Sequence, residues 1–138
     1  MDQIYVHGRI PLRGQITVQG SKNAALPILA ATLLTEEACV LHNCPRISDV
    51  EQMQTILQYL GCEIRREGDG LRVSGYREGA TRLLFDEVTR MRCSVVLLGA
   101  LIGKCKRVEL PYPGGCAIGQ RPIDIHIQAL KQLNIQIL

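Results

Sequence analysis

Residues 20–34 read Gly-Ser-Lys-Asn-Ala-Ala-Leu-Pro-Ile-Leu-Ala-Ala-Thr-Leu-Leu. Ser21 is a suitable N-cap for a helix that continues through almost entirely apolar residues. Pro27 comes early enough in that helix to be tolerated with a local distortion. A helix that is apolar on every side belongs in the interior of a domain. The sequence therefore predicts a buried helix at this place.

Two polar residues, Lys22 and Asn23, stand at the start of this helix. Backbone N–H groups point outward there, and the helix dipole presents its positive end. A lysine in this place predicts an anion-binding site. A solvated lysine ahead of a helix is the alternative, and the residues alone leave both interpretations open.

The residues after the buried helix predict a strand at 38–42, then an amphipathic helix, then a hairpin. Ser48 and Glu51 match the spacing of a capping box at the start of the amphipathic helix. The strands of the hairpin are expected at 62–66 and 71–74. The face that the amphipathic helix turns to the core carries Val50, Met53, Leu57 and Leu60, and Gly61 ends the helix.

The same order of elements begins again after residue 75. Residues 46–50 (Arg-Ile-Ser-Asp-Val) align with residues 121–125 (Arg-Pro-Ile-Asp-Ile), 75 positions later. An internal repeat of this kind predicts an α/β fold of repeated units, each with an apolar helix, a strand, a loop, an amphipathic helix and a strand, with a full repeat at 21–75 and an incomplete one at 76–138. The second unit is expected to contain a nearly all-apolar helix at 95–102, a strand at 106–110, a helix from Pro122 and the start of a strand at 134–138.

Both ends of the chain carry predicted strands. Residues 4–6 and 14–18 predict two short N-terminal strands, and residues 1–20 are set apart from the domain at 21–138. Because the second repeat stops at Leu138, we expect the chain to be a fragment. Its last strand would present an open edge, which favours self-association by pairing with another chain.

A loop rich in glycine and proline, residues 111–124, carries Cys116 next to Arg121 and to the helix that begins at Pro122. A nearby arginine and a helix N-terminus lower the pKa of a thiol, which makes it reactive. A small buried apolar cysteine is the alternative interpretation of Cys116. We interpret four other cysteines as such buried residues: Cys39, Cys62, Cys93 and Cys105.

Composition limits the class of protein. The 138 residues are 46% hydrophobic and only 4% aromatic, which predicts an aliphatic core. No run is long enough for a membrane span, and no signal peptide or metal-binding cysteine pattern is present in the sequence. The net charge of +3 fits a small anionic substrate, and no basic stripe interleaved with aromatics indicates nucleic acid. We therefore expect a cytoplasmic protein with reduced thiols and without a metal.

Three motifs in this order resemble one family. They are residues 20–27 (Gly-Ser-Lys-Asn-Ala-Ala-Leu-Pro), Met91-Arg92, and residues 114–126 with Gly-Gly-Cys-Ala-Ile-Gly-x-Arg-Pro-x-Asp-x-His. The family is that of UDP-N-acetylglucosamine 1-carboxyvinyltransferase, an enolpyruvyl transferase, and the chain is similar to its N-terminal third. The resemblance implies two domains, each built from three repeated βαβαββ-type units with buried apolar helices, in the fold called an inside-out α/β barrel. It also implies that residues 1–20 belong to the other domain. It also implies transfer of the enolpyruvyl group of phosphoenolpyruvate to the 3-hydroxyl of UDP-N-acetylglucosamine, with release of phosphate and without a cofactor.

The resemblance also assigns roles to residues of this chain. Cys116 matches the acid that protonates the methylene of phosphoenolpyruvate and that the antibiotic fosfomycin alkylates. Lys22 and Asn23 match residues at phosphoenolpyruvate, and Arg92 matches an arginine that helps to hold the substrates. The segment that wraps the uridine nucleotide corresponds to Arg121, Pro122, Ile123, Asp124 and Ile125. The general base of the family lies beyond Leu138.

Two alternatives remain open at this point. A related enzyme that uses shikimate 3-phosphate shares the fold and the lysine at the helix start, but the Gly-Gly-Cys loop and the Arg-Pro-x-Asp segment argue against it. The other alternative is a catalytically silent domain that acts only as a folded or assembling module, because the chain stops within its second repeat.

Overall fold

The computed structural model describes residues 3–76, 81–112 and 122–137, and for residues 87, 90, 92 and 93 it describes the backbone alone. A small antiparallel sheet and a group of helices form a mixed α/β structure. The helices are α1 (Lys22–Ala31), α2 (Ser48–Tyr59), α3 (Asp86–Arg90), α4 (Val96–Cys105) and α5 (Asp124–Gln132), and the strands are β1 (Cys39–Leu41), β2 (Glu63–Glu67) and β3 (Gly70–Ser74).

The sheet has the strand order β1-β3-β2, and both pairings are antiparallel. The hairpin of β2 and β3 is confirmed, with Glu67 opposite Gly70 across a two-residue turn. Gly68 in this turn has φ +61°, a conformation that glycine adopts without steric cost. Leu71 and Val73 face the core, whereas Arg72 faces solvent, as the alternation of a half-buried strand requires.

The central helix α1 forms where residues 20–34 predict it, and a 3₁₀ turn at Thr32–Leu34 extends it. It packs against both α2 and α4. Its burial is one-sided, which corrects the prediction of a helix buried all round: Ile28 is 51% and Leu34 is 55% exposed. The buried side consists of Ala25, Leu26, Leu29, Ala30 and Leu33.

Helix α2 buries the predicted face, and Gly61 follows it with φ 89°. The predicted capping box is wrong, because the N-cap is Ile47 and no side chain caps the helix. The carbonyl of Ile47 instead accepts the N–H groups of Val50 and Glu51. Asp49 and Glu51 lie in the first turn, where carboxylates complement the helix dipole.

The second half of the chain has fewer strands than its sequence predicts. Residues 106–110 form no strand, and a single parallel bridge joins Arg82 to Glu109. Residues 134–137 form no strand either, because α5 ends in a turn in which Asn134 has φ 60°. The described residues 134–137 therefore offer no strand edge with which another chain could pair, and self-association through this segment stays a prediction. Helix α4 forms as predicted, but one turn longer at its C-terminal end.

Residues 3–20 contain neither helix nor strand, so the predicted strands at 4–6 and 14–18 are wrong for this structure. A strand needs a partner for its backbone hydrogen bonds, and no described strand pairs with this segment. Large apolar side chains along it are exposed: Ile4, Tyr5, Val6, Ile10, Leu12, Ile16 and Val18. Across the three described ranges, no helix combines the length and the hydropathy that crossing a bilayer demands.

Candidate active site

The predicted anion site lies at the N-terminus of α1. Ser21 is the N-cap, and its carbonyl accepts the N–H groups of Ala24 and Ala25 at 3.2 and 2.9 Å. The Ser21 hydroxyl makes no capping hydrogen bond. Lys22 and Asn23 are the first two helical residues, and both are exposed. The helix therefore presents two side chains with hydrogen-bond donors at the end where its dipole attracts anions.

Gly20 fixes this helix start to the connection between β1 and α2. Its N–H donates to Asn43 Oδ1 at 3.1 Å. A Cβ at position 20 would overlap the carbonyl oxygen of Asn43, so only glycine permits this approach. Asn43 itself has φ 53°, a left-handed conformation that asparagine adopts more readily than most residues. The residue before the N-cap of α1 is thereby held against the connection that leads into α2 by a hydrogen bond to the Asn43 side chain and by a close backbone approach.

Replacing Gly20 by alanine is expected to lower the free energy of unfolding by about 1–3 kcal/mol, because a backbone carbonyl must move away from the new methyl group. Urea denaturation measures the change. Gly99→Ala in α4 is the matched control: its Cβ meets nothing within 4 Å, and alanine in a helix is expected to stabilise by about 0.5–1 kcal/mol. Equal unfolding midpoints for Gly20→Ala and the unaltered chain would contradict the close approach.

Lys22 forms an ion pair across the two helix starts. Its Nζ lies 3.2 Å from Oδ1 of Asp49, the second residue of α2. The side chains are 43% and 35% exposed, so the pair is open to solvent on one side. A lysine ammonium has three N–H donors, and Asp49 accepts one of them. The ammonium can therefore donate to an anionic ligand while it stays paired.

Two arginines add positive charge near the start of α1 and the connection that leads into α2. Arg46 and Arg66 line a cavity of about 220 Å³ together with Asn43, the residue that holds Gly20. Arg66 Nη1 donates to the carbonyl of Cys44 at 3.5 Å, while Asp69 supplies a negative charge on the same cavity. The electrostatic character of this side of the chain thus suits an anion of limited size.

The predicted nucleotide segment is described only in part. Pro122, Ile123, Asp124 and Ile125 lead into α5, whose N-cap is Ile123 and whose first residue is Asp124. Ile125 is 80% exposed. Among the residues that the structure describes, no hydrogen bond or ion pair joins the start of α5 to the start of α1. Arg92 opens the 3₁₀ turn that precedes α4, and its side chain lies outside the described part, as do Cys116 and Arg121 entirely.

The described cysteines differ in their surroundings. Burial raises the pKa of Cys62 to about 11 and also raises the pKa of Cys44, where the charge of Arg66 opposes the effect. Cys62 is buried as predicted, but Cys39 and Cys105 are only half-buried, which corrects their interpretation as core residues. Cys105 lies in a polar contact, with its Sγ 2.6 Å from Tyr76 Oη.

Asn43 and Asp49 are the site residues that reasoning from the sequence missed. The sequence gives Asp49 no role of its own, yet the alignment of residues 46–50 with 121–125 places it opposite Asp124. That alignment is the signal that could have found it. The role of Asn43 has no sequence signal, because it depends on a contact between residues that are 23 positions apart.

Comparison with known proteins identifies the family. The model of the family "EPSP synthase (3-phosphoshikimate 1-carboxyvinyltransferase)" matches residues 6–138. The chain belongs to the EPSP synthase family. The family resemblance drawn from the three sequence motifs is thereby confirmed.

Relatives within the EPSP synthase family carry a more specific name. The chain is 45% identical over 137 residues to the UDP-N-acetylglucosamine 1-carboxyvinyltransferase of Methylacidiphilum infernorum, covering 99% of the chain and 32% of that protein. It is 42% identical over 137 residues to the protein of the same name from Akkermansia muciniphila, with the same coverage. It is 41% identical to UDP-N-acetylglucosamine 1-carboxyvinyltransferase 2 of Caldanaerobacter subterraneus, covering 33% of that protein. The chain spans about a third of the length of the curated relatives it matches.

Proposed function

We propose that this protein transfers the enolpyruvyl group of phosphoenolpyruvate to the 3-hydroxyl of UDP-N-acetylglucosamine and releases phosphate. This reaction is the first committed step of peptidoglycan precursor synthesis. The observation that carries the proposal is the similarity of 99% of the chain to proteins named UDP-N-acetylglucosamine 1-carboxyvinyltransferase. Both substrates are water-soluble anions, and we place the reaction in the cytoplasm.

The start of α1 supports the binding of phosphoenolpyruvate. That substrate carries a carboxylate and a phosphate, and Lys22 presents an ammonium at the positive end of a helix. Asn23, the next residue, adds an amide that can donate to the same ligand. Cationic donors held in place before the reaction stabilise charge that develops on the phosphate as it leaves.

Other roles follow from the family resemblance. Cys116 protonates the methylene carbon of phosphoenolpyruvate, and a thiol that the sequence places shortly before Arg121 and a helix start suits proton transfer near neutral pH. Arg92 and Arg121 add further positive charge to the site and thereby help to hold the anionic substrates. Residues 121–125 bind the uridine nucleotide, with Asp124 at the exposed start of α5.

The domain arrangement belongs to the same proposal. Residues 21–138 form part of the domain that binds the two substrates and comprise one full repeat, at 21–75, and one incomplete repeat. The three-stranded sheet with α1 and α2 supports the first unit. Residues 1–20 pack into the other domain of an inside-out α/β barrel, and their exposed apolar side chains support this placement.

Phosphate release by the full-length protein tests the proposal. We expect release only when phosphoenolpyruvate and UDP-N-acetylglucosamine are both present, with a 1:1 ratio of phosphate to enolpyruvyl product. Release that depends on shikimate 3-phosphate instead would favour the shikimate-type enzyme. Residues 1–138 expressed alone are expected to release none, because the family's general base lies outside them.

The catalytically silent module is the second candidate. It is favoured by the share of the relatives that the chain covers, about a third. A silent module would release no phosphate in any form of the protein, whereas the proposed transferase loses activity only in the isolated 138 residues.

A further inference from the structure

We propose that Asp49 is the positioning residue for Lys22, holding its ammonium in the place where it acts on the anionic substrate. The inference deepens the proposed function and rests on it. Asp49 belongs to none of the substrate-binding segments that the resemblance implies, and it contacts Lys22, which does belong to them.

The geometry of the pair supports this role. Lys22 is the first residue of α1 and Asp49 the second of α2, and their side chains meet at 3.2 Å between Nζ and Oδ1. The two helices pack against each other, and Asn43 ties the residue before the N-cap of α1 to the residues before α2. The backbones of the two packed helices therefore hold Lys22 and Asp49 within reach of each other, and the ion pair sets the distance between ammonium and carboxylate.

Charge determines which partner fixes the other. A carboxylate in the first turn of a helix is favoured by the helix dipole, whereas a cation at a helix N-terminus is not. Asp49 is thus stable in its place without Lys22, but Lys22 would turn toward solvent without Asp49. A lysine side chain is flexible, with a compact charge at its end, so a fixed acceptor is what gives it one position.

An aspartate occupies the same position in both repeated units, but its proposed role differs between them. Asp49 aligns with Asp124, which the resemblance places at the uridine nucleotide. In the first unit the structure shows the equivalent aspartate paired with a cation of the neighbouring helix. Asp49 therefore positions Lys22, whereas the resemblance assigns its counterpart Asp124 to the nucleotide.

Asp49→Asn in the full-length protein tests the inference, because asparagine keeps the size and removes the charge. We expect kcat to fall about 10- to 100-fold, since misplacing a reacting group by about 1 Å has effects of this size. The KM for phosphoenolpyruvate should change much less. The variant removes the Asp49 carboxylate, which repels the anionic substrate, and this gain in binding offsets the looser positioning of Lys22. Asp49→Glu should restore part of kcat.

Two comparisons separate positioning from a general structural effect. Glu36→Gln breaks another lysine pair, Glu36 with Lys104, also at 3.2 Å, and should leave kcat unchanged. In a Lys22→Ala background, Asp49→Asn should cause no further loss, because residues that act through one another are not additive. The unfolding midpoint should stay the same, since exposed ion pairs contribute little to stability.

The inference is overturned if Asp49→Asn turns over like the unaltered protein, or if it lowers kcat equally with and without Lys22. A crystal structure of the variant gives a readout that does not depend on activity. Lys22 Nζ displaced by more than about 1 Å supports the inference, and an unmoved Nζ overturns it. If the unaltered protein releases no phosphate, the proposed function fails, and the position of Nζ still decides the role of Asp49.

Discussion

Lys22→Ala is expected to lower kcat/KM for phosphoenolpyruvate about 10²- to 10³-fold, the usual effect of removing one preorganised donor from a site where charge develops. The ammonium stands at the start of α1, paired on one side with Asp49 and exposed on the other. Alanine keeps the helix, because it is the best helix former, so the loss should be catalytic. Steady-state phosphate release at varied phosphoenolpyruvate measures the effect.

Lys104→Ala is the control for this prediction. Lys104 lies 3.2 Å from Glu36, the same separation as in the Lys22 pair, but near the C-terminal end of α4. We expect its kcat/KM to equal that of the unaltered protein. If Lys22→Ala retains full activity, or if both variants lose it equally, the site at the start of α1 is wrongly assigned.

Cys116→Ser is expected to lower turnover about 10²- to 10⁴-fold, because a hydroxyl is a far weaker acid than a thiol and general acid–base catalysis contributes that much. Single-turnover formation of the enolpyruvyl product measures the loss. Full activity of Cys116→Ser would contradict the proposed acid.

Serine variants of Cys39 and Cys62 provide the controls. Cys62 is buried and its pKa is raised to about 11, so at pH 8 only about one thiol in a thousand is ionised. Cys62→Ser should lower the unfolding midpoint, because it places a hydroxyl in an apolar surrounding. Neither variant should change turnover once the protein is folded, and a loss in either would show that the assignment to Cys116 is incomplete.

Local sequence signals predicted the first unit well. The apolar run at 20–34, the spacing of Val50, Met53 and Leu57, and the glycines after α2 and in the hairpin turn each act over a few residues. The helices and the hairpin formed where these signals placed them. The predicted cap of α2 was wrong, because the backbone of Ile47 accepts the first hydrogen bonds of that helix without help from Ser48.

The missed strands all depend on partners. Residues 4–6, 14–18, 106–110 and 134–137 have strand-like composition, but composition does not supply the second strand that a ladder needs. Only residue 109 of these segments forms a bridge, to Arg82. The one-sided burial of α1 has the same origin, since α2 and α4 cover one face and leave Ile28 exposed.

The candidate site was predictable where its residues are close in the sequence and unpredictable where they are distant. Lys22 and Asn23 follow from a helix start and a motif, both of which are contiguous in the sequence. Asp49 and Asn43 join them through contacts between residues 27 and 23 positions apart. Such contacts follow from the packing of α1 on α2. Hydrophobic periodicity predicts that the two helices pack, but it does not predict which residues of one helix meet which residues of the other.

The proposed function requires a reactive thiol at Cys116 within an enolpyruvyl transferase site. Mass spectrometry of the full-length protein after treatment with fosfomycin detects such a thiol by its covalent adduct. We expect one covalent adduct, formed when the Cys116 thiolate opens the epoxide, on the peptide that contains residue 116. Burial and raised pKa values should keep Cys44 and Cys62 unmodified. An adduct on another cysteine, or no adduct at all, would contradict the account.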